Sequence, residues 1–218
     1  MAGTNAIIDL SHHNGNTIDL ARAKTAGMVG VIQKATQGTS FRDPTFNANR
    51  QKAAHAGLLF GAYHFGVGAD GVEQADFFLQ SVQPAPGDLL VLDFEANPQG
   101  PSMNLVEARA FVTHVQAVTG RFPGLYSGSY LKELLGVTTD PVLINCWLWI
   151  SQYGPTAVIP PAWPRWTLWQ YTDGAAGLPP HTVDGVGACD RNIFNGAAEE
   201  LPAFWRAAGQ PAVAAAAT

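Results

Sequence analysis

Short apolar runs alternate with amphipathic segments along most of this chain. The runs are rich in Val, Ile, Leu and Phe, which is typical of strands that are buried on both faces. This pattern predicts eight strands, at residues 6–10, 28–34, 58–65, 89–95, 124–127, 144–150, 167–171 and 187–194.

Helical patterns lie between the first five strands, and the clearest covers residues 104–119. Asn104 and Glu107 have the spacing of a capping box, and Gly120 stands where a helix C-cap is expected. Strand ends recur at roughly 25–30 residues, the length of a βα unit. Five such units followed by three strands with little helix predict an α/β fold, an irregular TIM-like barrel of eight strands and about five helices. An open doubly wound sheet remains the alternative.

The domain organisation is simple. No linker interrupts residues 1–206, which are expected to form a single catalytic barrel domain. Residues 207–218 form an Ala-rich tail that we expect to be disordered.

Composition excludes several classes of protein. Twelve Lys and Arg against 17 Asp and Glu give a net charge of −5, which argues against nucleic-acid binding. The chain shows no basic and apolar leader and no long uncharged apolar stretch, so neither a signal peptide nor membrane insertion is expected. Two cysteines, Cys146 and Cys189, are too few for a disulfide framework and are either free buried thiols or one bond.

Polar residues stand at or near the ends of the predicted strands. A charged side chain in a buried strand is costly unless it is paired or functional. In a barrel of parallel strands the C-terminal ends meet at one mouth, where active sites are built. The polar residues in these positions are Asp9, Lys34, His64, Asp93, Glu95 and Asp190.

The sharpest of these signals is the Asp93-Phe94-Glu95 tripeptide. Side chains alternate across a strand, so Asp93 and Glu95 are expected on one face, about 6.6 Å apart along the strand. When two carboxyl groups share one pocket of low polarity, the pKa of one of them is raised. A glycosidase needs such a pair, one acid to protonate the leaving oxygen and one carboxylate to stabilise positive charge.

Aromatic residues near the strand ends favour a sugar substrate. Flat rings stack on the apolar faces of sugars, while amides and hydroxyls bind their substituents. The residues concerned are Tyr63, Tyr126, Trp149, Tyr153, Trp169, Gln170 and Tyr171. For a part of them the alternative is an ordinary role in the core or at its rim.

The order and spacing of these motifs resemble the lysozymes of glycoside hydrolase family 25, and the resemblance covers about residues 5–195. The matching stretches are Ile8-Asp9-Leu-Ser-His-His-Asn-Gly15, Val31-Ile-Gln-Lys34-Ala-Thr-Gln-Gly38, Gly57-Leu58, Gly61-Ala-Tyr63-His64-Phe65, Leu92-Asp93-Phe94-Glu95, Leu125-Tyr126-Ser127, Leu148-Trp149-Ile150, Leu168-Trp169-Gln170-Tyr171 and Cys189-Asp190-Arg-Asn192. The sequence departs from the family's pattern at Gln37, Ser151, Cys189 and Arg191, and the last departure puts the orientation of Asp190 in doubt.

The resemblance implies the family's irregular barrel and a muramidase activity on the β-1,4 bond between N-acetylmuramic acid and N-acetylglucosamine. It implies that Glu95 is the general acid and Asp93 its carboxylate partner, and that Asp9 and Asp190 complete the acidic cluster. The residues expected to bind substrate, by resemblance or by their place at strand ends, are Tyr63, Tyr126, Trp149, Gln170, Tyr171, Lys34 and His64.

The placement of Asp93 and Glu95 on one strand favours a particular mechanism. A nucleophile should face the acid across the sugar ring, about 5–5.5 Å away, which two residues of one strand satisfy poorly. We therefore expect the substrate's 2-acetamido group to attack the anomeric carbon, with Asp93 bracing its nitrogen and Glu95 acting as acid and then base. The configuration would be retained.

Three alternatives remain at this level. A chitinase-like or other N-acetylhexosaminidase barrel would share the carboxylate pair, although Val91 replaces the middle Asp of the chitinase signature. A non-catalytic wall-binding module would share the aromatics. Residues 66–71 satisfy the G-x-G-x-x-G pattern of dinucleotide enzymes, but after the third strand instead of the first. No metal site and no cofactor are expected, because His12, His13 and His64 lack a tight ligand spacing.

The expected partner is the glycan strand of peptidoglycan, and a monomer is expected. Without a signal peptide the chain would be synthesised in the cytoplasm and act on the cell wall after release, as a phage lysin does from the host cytoplasm.

Overall fold

Eight strands form the central barrel of this protein, whose computed structural model describes residues 3–210. In chain order, the strands are β1 (Thr4–Leu10), β2 (Gly30–Gln37), β3 (Leu59–Phe65), β4 (Leu89–Asp93), β5 (Gly124–Ser127), β6 (Leu148–Ser151), β7 (Leu168–Thr172) and β8 (Asp190–Phe194). Three short strands lie outside the barrel, at Phe41–Arg42, Thr182–Val183 and Gly187–Ala188.

Pairing of the first strand with both the second and the last closes the barrel. The first seven strands run parallel, each paired with the next in sequence. The last strand, β8, lies antiparallel between β7 and β1. The predicted eight-stranded barrel is confirmed and the open sheet is excluded. Residues 173–189 contain no helix that could form the usual parallel crossover, and β8 returns antiparallel.

Successive side chains of each strand point alternately into and out of the barrel, so the barrel has an inner and an outer apolar layer. In β1, Ile7 faces the inside of the barrel and Ile8 faces the surrounding helices. In β4, Val91 lies inside and Leu92 outside in the same way. Both layers exclude water, which is why the strands have continuous apolar sequences.

Within residues 3–210, six helices surround the barrel, and the first five follow the first five strands in turn. They are α1 (Leu20–Thr25), α2 (Phe46–Ala56), α3 (Gly71–Val82), α4 (Leu105–Thr119), α5 (Ser129–Leu135) and α6 (Leu201–Ala208). The predicted caps of α4 are confirmed. Asn104 accepts from the Glu107 amide, the Glu107 carboxylate accepts from the Asn104 amide, and Gly120 is left-handed with φ 73°.

Three strand predictions had the wrong bounds. The segment predicted at 144–150 begins only at Leu148, because Leu143–Asn145 forms a 3₁₀ turn. The strand predicted at 187–194 divides between Gly187–Ala188 and β8. The strand predicted to reach residue 95 ends at Asp93, which places Glu95 on the following loop.

Helix α6 covers the end of the barrel at which the parallel strands begin. The Trp205 ring lies against Gly30 in the first position of β2, and its indole nitrogen donates to the Phe60 carbonyl (2.9 Å). This helix includes Ala207 and Ala208, the first two residues of the predicted tail, since alanine readily extends a helix. Residues 211–218 of that predicted tail lie outside the described residues. The opposite end of the barrel stays open.

The glycines of residues 66–71 pack against the protein's own chain. A Cβ on Gly66 would lie 2.8 Å from the Met103 sulfur, and one on Gly71 would lie 2.0 Å from the Glu107 carbonyl oxygen. Asp70 caps α3 by accepting from two of its amides. This loop therefore has a packing role and leaves no space for a pyrophosphate, so the dinucleotide alternative is excluded. Among residues 3–210, no helix has the length and apolar character needed to cross a membrane.

We predict that Trp205→Ala lowers the free energy of unfolding by about 3–5 kcal/mol, because it opens a cavity beneath the barrel and removes the bond to Phe60. Denaturant unfolding measures the difference. Val106→Ala, at a side chain that is 69 % exposed, is the control and should change stability by less than about 0.5 kcal/mol. Equal losses for the two variants would contradict a structural role of α6.

Candidate active site

A cleft of about 760 Å³ opens at the end of the barrel where the parallel strands finish. Its lining includes all four predicted acids, Asp9, Asp93, Glu95 and Asp190. Asp9 is the penultimate residue of β1, Asp93 is the last residue of β4, and Glu95 follows two residues later. The structure therefore brings together residues that are up to 181 positions apart in the chain.

Asp190 reaches this cleft because β8 runs antiparallel. It is the first residue of β8 and pairs in register with Asp9 of β1, so the start of β8 lies beside the end of β1. The neighbouring Arg191 points away, and its guanidinium donates to the Thr182 carbonyl (2.6 Å) and to Asn5 (3.2 Å). The departure at Arg191 therefore does not neutralise Asp190.

The backbone of Phe94 holds the two central acids in place. Its amide donates to the Tyr126 carbonyl (2.9 Å), and its carbonyl accepts from the Ser127 hydroxyl (2.6 Å). Its ring is fully buried in the outer apolar layer. Because Phe94 is fixed facing outward, Asp93 and Glu95 on either side both project into the cleft, although Glu95 lies beyond the strand.

A network of side-chain amides surrounds Asp9. Both Asp9 oxygens accept from the Gln170 amide nitrogen (3.1 and 3.2 Å), and one also accepts from Asn192 (2.8 Å). The Trp149 indole N–H donates to the Asn192 oxygen (2.7 Å), and the Tyr126 hydroxyl donates to the Gln170 oxygen (2.9 Å). Since indole can only donate, it fixes the Asn192 amide with its nitrogen towards Asp9. The network favours the ionised carboxylate at this position.

Burial raises the pKa of each acid, and repulsion from neighbouring acids adds to the shift at Asp93, Glu95 and Asp190. Burial raises the pKa of Asp93 well above its usual value, and the nearby Glu95 adds to the shift. The pKa of Glu95 is raised by burial and then by Asp9, and that of Asp190 by burial and then by Asp9. Burial is also the main effect on the pKa of Asp9 and raises it, although hydrogen bonds from Asn192 and Gln170 act to lower this pKa. The cleft therefore holds protons that isolated carboxyl groups would release.

Asp93 has a free acceptor atom. Its side chain is 6 % exposed, and its Oδ1 has no hydrogen-bond partner among the residues that the structure describes. Leaving a buried acceptor unsatisfied is costly, and such atoms in native proteins call for an explanation. An N–H group of a ligand in the cleft would satisfy it.

The predicted sugar-binding residues fall into two groups. Tyr63, Tyr126, Trp149 and Gln170 line the cleft. Lys34 faces a neighbouring cavity that shares Glu95 with the cleft. Burial lowers the pKa of Lys34, against the opposing effect of Asp93, Asp43 and Glu95.

The structure places His64 and Tyr171 outside the cleft, so their prediction as substrate-binding residues is wrong. His64 is fully buried against the Phe111 ring, bonds Thr36 (2.7 Å) and Gln74 (3.2 Å), and burial lowers its pKa to about 3. Tyr171 donates to the Pro180 carbonyl (3.0 Å) on the outer side of the barrel. Each directly follows an inward-facing residue in its strand, so alternation turns it outward. The same alternation places Trp169 in the outer layer.

Several residues in or beneath the cleft were not among the predicted site residues, although Tyr153 was named with the aromatics near strand ends. Asn192 binds Asp9, and Tyr153 donates to the Gln170 oxygen (2.7 Å). Lys132 and Asp173 lie at the rim on loops and helices that no motif marks. Asn192 could have been found, because it stands two positions after Asp190 and therefore shares its face of the strand.

Within residues 3–210, no group of three or more His, Cys, Asp or Glu side chains is arranged to hold a metal ion. Both cysteines are free and buried, and Cys189 lies in the cleft wall.

Known proteins with similar sequences share this architecture. The family model for glycosyl hydrolases family 25 matches residues 8–177. The chain is 33 % identical to lysozyme M1 of Streptomyces globisporus, and the alignment covers 90 % of this chain and 70 % of that protein. It is also 33 % identical to an N,O-diacetylmuramidase of Chalaropsis sp., and there the alignment covers 73 % of this chain and 84 % of that protein. The crystal structure of a bacterial lysozyme from Streptomyces coelicolor superposes with a TM-score of 0.82 at 32 % identity, covering 94 % of this chain and 98 % of that one.

The matched region contains Asp9, Asp93 and Glu95 together with Gln170, and the superposed region extends to almost the whole barrel. Fold, acidic cleft and sequence similarity thus agree. The chain belongs to glycosyl hydrolase family 25 and is a glycoside hydrolase.

Proposed function

We propose that this enzyme hydrolyses peptidoglycan at the β-1,4 bond between N-acetylmuramic acid and N-acetylglucosamine, with Glu95 as general acid and base. The relatives named lysozyme and N,O-diacetylmuramidase support peptidoglycan as the substrate. The observation that carries the proposal is the gathering of Asp9, Asp93, Glu95 and Asp190 around one cleft of a closed barrel.

Glu95 suits the acid role by position and by charge. It lies on the loop after β4, is partly exposed to the cleft, and has a raised pKa because of burial and of Asp9. A raised pKa lets a carboxyl group hold its proton to higher pH, from where it can transfer the proton to the glycosidic oxygen as the bond breaks. Once ionised, the same group can accept a proton from water.

Asp93 suits the role of a brace for the substrate's acetamido group. Its free Oδ1 can accept from the acetamido N–H, which orients the acetamido oxygen towards the anomeric carbon. That oxygen bonds to the carbon while Glu95 protonates the departing oxygen. Water then attacks the same carbon, Glu95 takes the water's proton, and the acetamido group is restored, with two inversions and net retention.

Asp9 is less suited to be a nucleophile, because Gln170 and Asn192 already donate to its oxygens. As a fixed carboxylate it stabilises the positive charge that develops on the sugar ring. Asp190, opposite Asp9 in the strand register, lies on the same wall of the cleft.

We expect Glu95→Gln to retain the fold and to lose at least about 99 % of the activity, because an amide cannot donate the required proton. The decrease in turbidity of a cell-wall suspension measures the rate, and mass spectrometry of the fragments should find muramic acid at the reducing end for the wild type. A variant that keeps more than about a tenth of the rate would exclude Glu95 as the acid.

The first product should have the β configuration at its new reducing end, since the proposed mechanism retains the configuration. Proton NMR of a defined oligosaccharide, recorded before mutarotation, distinguishes the anomers. An α product would exclude participation of the acetamido group and indicate direct attack by water.

The acidic cluster should lower stability at neutral pH. Because the folded-state pKa of Asp190 is raised, the folded protein binds more protons than the unfolded chain above about pH 4, and stability falls as pH rises through the raised pKa. Asp190→Asn should therefore raise the Tm at pH 7.5 by about 2–4 °C, corresponding to roughly 1 kcal/mol, while activity decreases.

At pH 3 the same substitution should have little effect on the Tm, because both states are then protonated at this position. Glu133→Gln is the matched control, since it removes one exposed acid away from the cleft and should leave the Tm almost unchanged at both pH values. A lower Tm for Asp190→Asn at pH 7.5 would contradict the electrostatic cost of the cluster.

A further inference from the structure

A second cavity of about 360 Å³ adjoins the cleft. Glu95 and His13 line both cavities, whereas Asp9, Asp93 and Asp190 line only the cleft. A general acid lies beside the bond that it cleaves, so a glycan bound across Glu95 has one half in the cleft and the other half beyond it. We call the second cavity the leaving-side cavity.

The two cavities differ in charge. Five carboxyl groups and one lysine line the cleft, and these are Asp9, Asp93, Glu95, Asp173, Asp190 and Lys132. Apart from the shared Glu95, the ionisable residues of the leaving-side cavity are His12, His13 and Lys34. The basic side chains therefore favour a negative group of the substrate on the side of the leaving-side cavity.

Lys34 is a cation without an acidic contact in this cavity. Its ammonium donates to the neutral amide oxygen of Gln37 (2.8 Å) and lies 4.9 Å from the centre of the Phe65 ring and 5.7 Å from that of Phe41. It forms no ion pair with a carboxylate of residues 3–210. The ammonium therefore has donor capacity left for a ligand.

His12 lies beside it, and its ring nitrogen Nε2 is a donor when the ring is protonated. The buried Asp43 accepts from the His12 backbone amide and contacts ring atom Nδ1 (2.9 Å each), and it also accepts from the Thr45 hydroxyl (2.6 Å). Burial alone would raise the pKa of Asp43, but the hydrogen bonds from Thr45 and His12 outweigh it and lower the pKa. An ionised Asp43 requires a proton on Nδ1, and Nε2 of this partly exposed ring contacts no hydrogen-bonding group of the described chain.

The rings of His12 and Phe41 pack together with centres 5.6 Å apart, and Phe41 is 39 % exposed. The cavity thus combines the Lys34 ammonium and a histidine ring with apolar ring surface, a combination suited to an anionic group attached to a sugar.

We propose that the leaving-side cavity binds a carboxylate carried by the leaving half of the substrate, and that Lys34 and His12 recognise it. The proposal depends on the muramidase activity proposed above. Muramic acid can present such a carboxylate in two ways, as its own lactyl group or as an acid of the peptide attached to that group.

Three tetrasaccharides of alternating N-acetylglucosamine and N-acetylmuramic acid test the proposal. All carry a neutral methyl amide on the inner muramic acid. The reducing-end muramic acid carries a free lactyl carboxylate in the first, a methyl amide in the second, and an alanyl-glutamate peptide in the third. The measured quantity is kcat/KM for each, expressed as a ratio to the neutral second substrate.

For the wild type we expect kcat/KM for at least one of the two charged substrates to exceed that for the neutral substrate by about fivefold or more. A charge-assisted hydrogen bond to the carboxylate is strong enough to give this difference. Preference for the first identifies the lactyl group as the source, and preference for the third alone identifies the peptide. In Lys34→Met the preference should fall below about twofold, and His12→Gln should reduce it in the same direction.

Lys132→Met is the matched control, because it removes an equal charge from the opposite cavity. The preference should stay at its wild-type value in this variant, whereas an equal decrease would indicate a general field effect and overturn the proposal. Using a ratio within each variant removes any common effect of the substitution on Glu95 or on folding.

Two failures are distinguishable. Cleavage of all three substrates at equal rates leaves the proposed muramidase activity intact and overturns carboxylate recognition. If none of the three is cleaved while the protein is folded, the proposed function itself fails.

Discussion

Closure of the sheet is the constraint on which the active site depends. Hydrogen bonds from β1 to β2 on one side and to β8 on the other bring the first and last strands together. This contact places Asp190 beside Asp9, and the parallel strands in between bring Asp93 to the same mouth. In an open sheet the first and last strands would lie at opposite edges, so the acidic cluster would not form.

Within the barrel, side-chain alternation decides which residues the substrate can reach. Inward positions near the mouth carry Asp9, Tyr63, Asp93, Tyr126 and Gln170, while the positions deeper in the barrel are apolar. The side chains on the other face of the strands lie in the outer apolar layer. A single network of amides and hydroxyls then connects the polar residues, so that Asp9 keeps its acceptors satisfied where water is largely excluded. Enzymes accept this kind of electrostatic cost where it prepares charges for the transition state.

Much of this arrangement could be predicted from the chain. The apolar runs indicated eight strands, the capping residues of α4 were recognisable, and the strand-end acids pointed to one site. The errors concern the direction in which side chains point from their strands. His64 and Tyr171 were assigned to the site because they stand near strand ends, yet each follows an inward residue and must face outward. Applying the alternation rule strictly would have excluded both and would have included Asn192.

The sequence by itself determined the strands, the caps and the family, because these depend on local periodicity and on motif order that short segments carry. Only the tertiary structure decided that β8 runs antiparallel, that Trp205 fills the closed end, and that Lys34 and His12 share a cavity beyond Glu95. These features depend on contacts between residues far apart in the chain, such as Asp9 with Asp190 and Gly30 with Trp205. The pKa values of the acids also depend on such contacts, since burial and neighbouring charges exist only after the barrel has closed.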